Sequence, residues 1–161
     1  MNALNAISLS VGLWVGIWCF GTLGFMEPRV MTWVTFLTWA SYFVAGGGVT
    51  GLKKAIAGGF AGTLISALVV WLNGQLGGGV QGTGLVIFSA LLALLGWALC
   101  QLSRVELLSF IPGAFIGAAS FFGAGAPLDG KLPWVLVSLA CGAIMGLISE
   151  RTGAALTAKS S

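Results

Sequence analysis

The residues of this chain that could act on another molecule fall in two short segments of one pattern, Phe36-Leu-Thr-Trp-Ala-Ser-Tyr-Phe43 and Phe115-Ile-Gly-Ala-Ala-Ser-Phe-Phe122. Each sets one serine hydroxyl, Ser41 or Ser120, beside two aromatic rings: Tyr42 and Phe43 in the first, Phe121 and Phe122 in the second. Hydroxyls replace hydrogen bonds that a small solute loses on leaving water, and rings form slots for flat, weakly polar molecules. These residue types suit the passage of a small neutral or weakly charged species such as urea or an amide, rather than bond making. Thr38 and Trp39 belong to the first segment, Phe115 opens the second, and Pro112 stands just before it. The plainer alternative is that the rings only fill a helix bundle.

Catalysis is not expected. The chain has no histidine, the commonest general base and metal ligand. Cys19, Cys100 and Cys141 each sit alone in an apolar stretch, without metal-site or disulfide spacing, and read as packing residues. No cofactor or metal is implied. Glu27 and Glu106 lie at the lips of apolar runs near Arg29 and Arg104; they read as mouth residues or as wet interfacial ion pairs. Asp129 and Lys131 belong to the same solvated class.

The elements that must position these segments are membrane helices. Hydrophobic residues make up 58% of the chain and charged residues 7%, against about 45–50% and 25% in soluble domains. The 161 residues suit a single membrane domain, 1–161, and seven scattered basic residues form no surface for nucleic acid. The start of the chain lacks the basic residues of a cleavable signal, so the first span is expected to be retained. With about 20 residues needed per crossing, six transmembrane helices are expected at about 4–25, 31–48, 54–73, 83–102, 107–126 and 132–149. No carboxylate, lysine or arginine lies deep within any of them, which argues against coupling through a buried carboxylate. Lys53, Lys54, Arg104, Arg151 and Lys159 fall on one side and Arg29 and Lys131 on the other. The excess of basic residues puts both termini in the cytoplasm, with Trp33, Trp71 and Trp134 at the external span ends.

The chain also repeats itself at an offset of 79 residues: Ser10 falls on Ser89, Trp18 on Trp97, Glu27 on Glu106, Phe36 on Phe115, Ser41 on Ser120 and Gly51 on Gly130. Three spans per copy, about 4–73 and 83–149, would set the second copy in the bilayer the other way up. The expected class is therefore all-α integral membrane, built as two inverted three-helix repeats, with the solute pathway at their interface. The second span shrinks to about Met31–Ala45 before three glycines. The fifth carries Pro112-Gly113 near its start, which would leave carbonyls near Leu108 and Ser109 free. Trp18 and Trp97 either line the pathway or bond a neighbouring helix. Gly12/Gly16, Gly58/Gly62, Gly113/Gly117 and Gly142/Gly146 have the spacing that lets membrane helices approach closely. The lipid bilayer and a small solute are the expected partners, with a homo-oligomer, dimer or trimer, expected. A channel or facilitator is the first functional expectation; an ion-coupled secondary transporter and a non-conducting scaffold or accessory subunit are the alternatives.

The run Phe110-Ile-Pro-Gly-Ala-Phe-Ile-Gly-Ala118, with Trp39-Ala-Ser-Tyr-Phe43 and the glycine run that follows it, resembles a family of small bacterial inner-membrane proteins, domain of unknown function 1097. The resemblance covers nearly the whole chain. It implies a six-span protein of the bacterial cytoplasmic membrane and brings no catalytic residues with it. Where members of that family place a cysteine-proline pair after the aromatic residues of the second span, this chain has Val44-Ala45.

Overall fold

A computed structural model describes residues 2–158, so Lys159, counted above for orientation, lies outside the described residues. Six helices account for the architecture: α1 (Ala3–Gly21), α2 (Thr32–Val44), α3 (Gly48–Gln75), α4 (Gly82–Gln101), α5 (Ile111–Gly123) and α6 (Leu132–Ala158). α1 opens on Asn2, whose side chain accepts the Asn5 amide, and ends in a wider turn over Thr22–Met26 in which Glu27 N–H donates to the Thr22 carbonyl.

Among the described residues, four helical stretches are long and apolar enough to cross a membrane: Ala3–Met26, Gly48–Gln75, Gly82–Arg104 and Leu132–Ala158. The expectation of six full spans needs correcting for the other two. α2 and α5 each have 13 residues, about 20 Å of helix against a hydrocarbon core of about 30 Å. α2 is cut short by Gly46, Gly47 and Gly48, all at positive φ, which turn the chain straight into α3. Left-handed backbone is open to glycine and costly for other residues. α5 is cut short at its other end: Pro112 sits in the first turn, where its missing N–H costs nothing. The proline kink expected to free carbonyls is therefore a helix start, and the Ser109 carbonyl accepts the Ile111 amide.

Helix directions follow from close approaches. α2 runs alongside α6 in the same direction: the Met31 amide donates to Ser138, the Thr35 carbonyl lies against Gly142, and Trp39 and Tyr42 reach Ser149 and Glu150. α5 runs the same way along α3, with Gly113 beside the Lys54 carbonyl and the Gly117 carbonyl accepting from Thr63. α3 and α6 are antiparallel, meeting at Gly59 and Leu139, and α2 and α5 are antiparallel, with Trp33 over Gly123. Ile7 packs on Gly153, so the described N- and C-terminal ends lie at one end of the bundle.

The cores are small-residue seams. A Cβ built on Gly62 would lie 1.8 Å from the Ala114 carbonyl oxygen, one on Gly117 2.0 Å from that of Gly59, and one on Gly142 2.1 Å from that of Thr35. Backbones that close gain dispersion contacts that lipid cannot offer. Gly12 and Gly16 are different: nothing lies near either, so this pair on α1 does not pack within the chain. α4 is peripheral, touching α3 and α5 through Val69, Leu95, Leu99 and Ala118. Inward-facing indoles pair with hydroxyls instead of carbonyls: half-buried Trp14 donates to Thr152 (3.0 Å), half-buried Trp18 to Thr35 (2.8 Å) and buried Trp39 to Ser149 (3.0 Å). These bonds tie α1, α2 and α6 together.

Candidate functional site

Two cavities open at opposite ends of the bundle. The first, of about 440 Å³, lies between the α1–α2 connection and the start of α6, and Glu27, Arg29, Trp33, Lys131 and Trp134 line it. The second, of about 370 Å³, lies between the α4–α5 connection and the first turns of α3, lined by Thr50, Lys53, Lys54, Glu106 and Leu107. α2 starts at the first cavity with Met31 and Trp33, and its other end, at Tyr42, meets the start of α3 near the second. The expected ion pair of Glu27 with Arg29 gives way to two separate partnerships. Glu27 accepts the Thr32 amide at the start of α2 (3.2 Å), while the Arg29 guanidinium lies 5.8 Å from the centre of the Trp134 ring. The two aromatic residues at this mouth, Trp33 and Trp134, are partly exposed, as is Trp71 near the end of α3.

Between these mouths the interior carries buried hydroxyls. Ser41, Ser66 and Ser120 are buried and their hydroxyls have no hydrogen-bond partner among the described residues. An unpaired buried hydroxyl costs free energy that its helix must make up elsewhere. Ser41 and Ser120 are equivalent under the 79-residue offset, and so are Tyr42 and Phe121, both fully buried. The two segments do not meet at the centre, however. α2 and α5 run in opposite directions, so Ser41 lies toward the second cavity and Ser120 toward the first.

The remaining sequence-derived residues divide cleanly. Thr38 is buried, its hydroxyl donating to the Val34 carbonyl; Trp39 is buried and bonded to Ser149; Phe43 and Phe122 are half-buried, edge-on to Tyr42 and Phe121. Trp18 bonds Thr35 at a helix contact. Trp97, Phe115 and Pro112 are exposed on the outer surface: Trp97 has 64% of its surface free and Phe115 46%. Neither Trp97 nor Phe115 lines the interior, because α4 is peripheral and Phe115 falls on the face of α5 turned away from Gly113, Gly117 and Ser120.

Glu150 is the residue that the sequence reading passes over. With the sixth span ended at 149 it lies in water; in the structure α6 continues to Ala158 and the carboxylate sits half-buried where α2, α3 and α6 meet. It accepts the Tyr42 hydroxyl and the Gly48 amide (2.9 Å). A Cβ on Gly47 would lie 2.5 Å from its Oε1, so a glycine is required for the carboxylate to seat. The available signal is the three-glycine run that opens α3, where the Gly48 amide is left for an anion while those of Gly46 and Gly47 donate to the Phe43 and Tyr42 carbonyls. Under the offset, Glu150 corresponds to Trp71 and Tyr42 to Phe121, so this carboxylate–hydroxyl pair is not repeated in the other half.

A family model described as "Protein of unknown function (DUF1097)" matches residues 8–154. The chain is 34% identical over 160 residues to "Inner membrane protein YcdZ" of Salmonella typhimurium, covering 95% of this chain and 89% of that protein. It is 36% identical over 163 residues to "Inner membrane protein YcdZ" of Escherichia coli strain K12, covering 99% and 91%. "Uncharacterized protein YahC" of the same strain is 28% identical over 166 residues, covering 98% and 94%. No solved structure matches the chain significantly.

Proposed function

This chain belongs to the DUF1097 family, and from that premise we propose that it is a multi-pass protein of the bacterial inner membrane that lets a small neutral or weakly charged solute pass between two inverted repeats. The observation that carries the reading is the correspondence of the two cavities. Glu27-Pro28 at the first mouth matches Glu106-Leu107 at the second, and Gly130 at the first matches Gly51, the neighbour of Thr50 at the second. Equivalent residues at opposite ends are what an in-plane pseudo-two-fold axis produces. The packing supports the same axis: α2 lies on α6 and α5 on α3, each short helix against the third helix of the other half. Thr35 and Ala114, whose carbonyls meet glycines there, are themselves equivalent.

On this reading α2 and α5 are the discontinuous elements, and Ser41 and Ser120 offer their unpaired hydroxyls to the solute at two successive depths. Both termini are cytoplasmic, the protein is a homodimer or homotrimer, and it carries out no covalent chemistry. A coupled secondary transporter is the second reading, favoured by one feature, the Glu150 carboxylate held between three helices. A scaffold role has no comparable support.

Proteoliposome flux tests the proposal. The purified protein is expected to speed equilibration of urea or acetamide over empty vesicles. Ser41→Val and Ser120→Val are each expected to slow it about three- to tenfold, the loss of a hydrogen bond of about 1 kcal/mol from the barrier. Folding should not suffer, since neither hydroxyl has a partner to lose. Flux equal to that of empty vesicles, or valine variants as fast as the parent, would contradict it.

A further inference from the structure

The charges at the two mouths differ in what they face. At the first cavity the carboxylates are turned to backbone: Glu27 accepts the Thr32 amide and the neighbouring Asp129 accepts the Lys131 amide (2.9 Å). The cations are not so engaged. Arg29 is held against the Trp134 ring at the cavity wall, and Lys131 is exposed on its lining. At the second cavity Lys53 and Lys54 share the lining with Glu106 alone among charged groups. Each lining therefore carries two cations and one carboxylate, with Asp129 beside the first cavity and bonded to backbone.

Membrane anchoring does not account for the first pair. Arg29 and Lys131 are the two basic residues on the face that the distribution of the others marks as external, where lysine and arginine are disfavoured, and both line the one cavity. A concave mouth with low-dielectric walls concentrates an ion of opposite sign. Farther in, the buried hydroxyls of Ser41 and Ser120 have no hydrogen-bond partner among the described residues and stand beside the rings of Tyr42, Phe43, Phe121 and Phe122, a setting for a compact molecule with one polar end.

We propose that the solute is a small monocarboxylate, collected as its anion by the paired cations at either mouth. This rests on the pathway reading above and narrows its solute from neutral amides to carboxylates. Lactate and lactamide share one skeleton and differ in charge, so they separate the two. With the full-length protein in proteoliposomes, stopped-flow light scattering is expected to show lactate entering faster than lactamide after subtraction of empty-vesicle rates. Arg29→Gln with Lys131→Gln is expected to slow lactate about tenfold, the low end of electrostatic focusing, and to leave lactamide within about twofold. Lys53→Gln with Lys54→Gln should do the same at the other mouth. All four side chains lie on cavity linings at the bundle ends, so these variants keep the fold, which an unchanged melting temperature checks. Passage of lactamide but not lactate, or lactate flux unchanged in both double variants, would overturn the carboxylate assignment and leave the pathway standing. Passage of neither solute would overturn the pathway and this assignment with it.

Discussion

Gly142→Val is expected to leave little folded protein. The position faces the Thr35 carbonyl so closely that a Cβ would come within 2.1 Å of its oxygen and 2.8 Å of its carbon, where ordinary contact begins near 3.4 Å. α2 and α6 would have to separate by more than an ångström along the seam that Met31, Thr35, Trp39 and Tyr42 share with α6. That separation would stretch the Trp39–Ser149 bond as well. Over-packing of this kind costs typically 1–3 kcal/mol in soluble cores, and here the obstacle is backbone, which has no rotamer to escape through. Gly117→Val, against the Gly59 carbonyl, should behave alike on the α3–α5 seam. Gly12→Val is the control: nothing lies near it, so it should melt within about 0.5 kcal/mol of the parent, as surface substitutions do. Thermal unfolding in detergent, read by tryptophan fluorescence, checks all three. A Gly142→Val protein as stable as Gly12→Val would mean that α2 and α6 do not meet as described.

The second large effect is expected at Glu150. Glu150→Leu removes the acceptor for both the Tyr42 hydroxyl and the Gly48 amide and puts an unbranched anion's place under a branched apolar group. Two donors are then left without partners, at about 1–3 kcal/mol each. The start of α3 also loses the anion that complements its helix dipole. Glu150→Gln keeps an acceptor and should lose about 1 kcal/mol or less, since its amide oxygen in the place of Oε2 can accept from both donors. Tyr42→Phe removes the hydroxyl and leaves Glu150 with the Gly48 amide, an intermediate loss. The order Leu, then Phe, then Gln in decreasing melting-temperature loss is the signature of a carboxylate holding two donors. Equal losses for Leu and Gln would assign the effect to packing alone. Gly47→Ala adds an independent check, because its Cβ would displace the carboxylate and its backbone sits at φ +67°; it should reproduce most of the Glu150→Leu loss.

Much of the helical layout is legible in the residues because lipid leaves few choices: apolar runs of sufficient length become helices, and glycine and proline mark where they stop. Gly46-Gly47-Gly48 and Pro112-Gly113 mark α2 and α5 as the irregular elements, and both prove to be short. What could not be read is which face of a helix turns inward. In a membrane the outer face is as apolar as the inner, so α1 and α4 have no polar side to orient them, and Trp18 and Trp97 look alike in sequence. One reaches Thr35 while the other faces outward, because α1 is backed by the hydroxyls of α2 and α6 and α4 packs into an apolar cluster with α3 and α5. The glycine pairs carry the same ambiguity: three close seams within the chain and the Gly12/Gly16 pair does not. Glu150 was lost to a boundary. Apolarity ends at Ser149, yet the helix goes on for two more turns, and the partners that hold the carboxylate lie more than a hundred residues earlier.

The most direct test of the account is side-specific block of solute flux. In a chain with Cys19, Cys100 and Cys141 replaced by alanine, a single cysteine is placed at Gly130, on the first cavity, or at Thr50, on the second; both positions are exposed. A membrane-impermeant maleimide is then added to one side of oriented proteoliposomes. The account predicts that labelled Gly130→Cys stops flux when reagent is applied from one side only and labelled Thr50→Cys when it is applied from the other. Block of both from the same side, or full labelling with flux unchanged, would contradict a pathway that joins the two mouths.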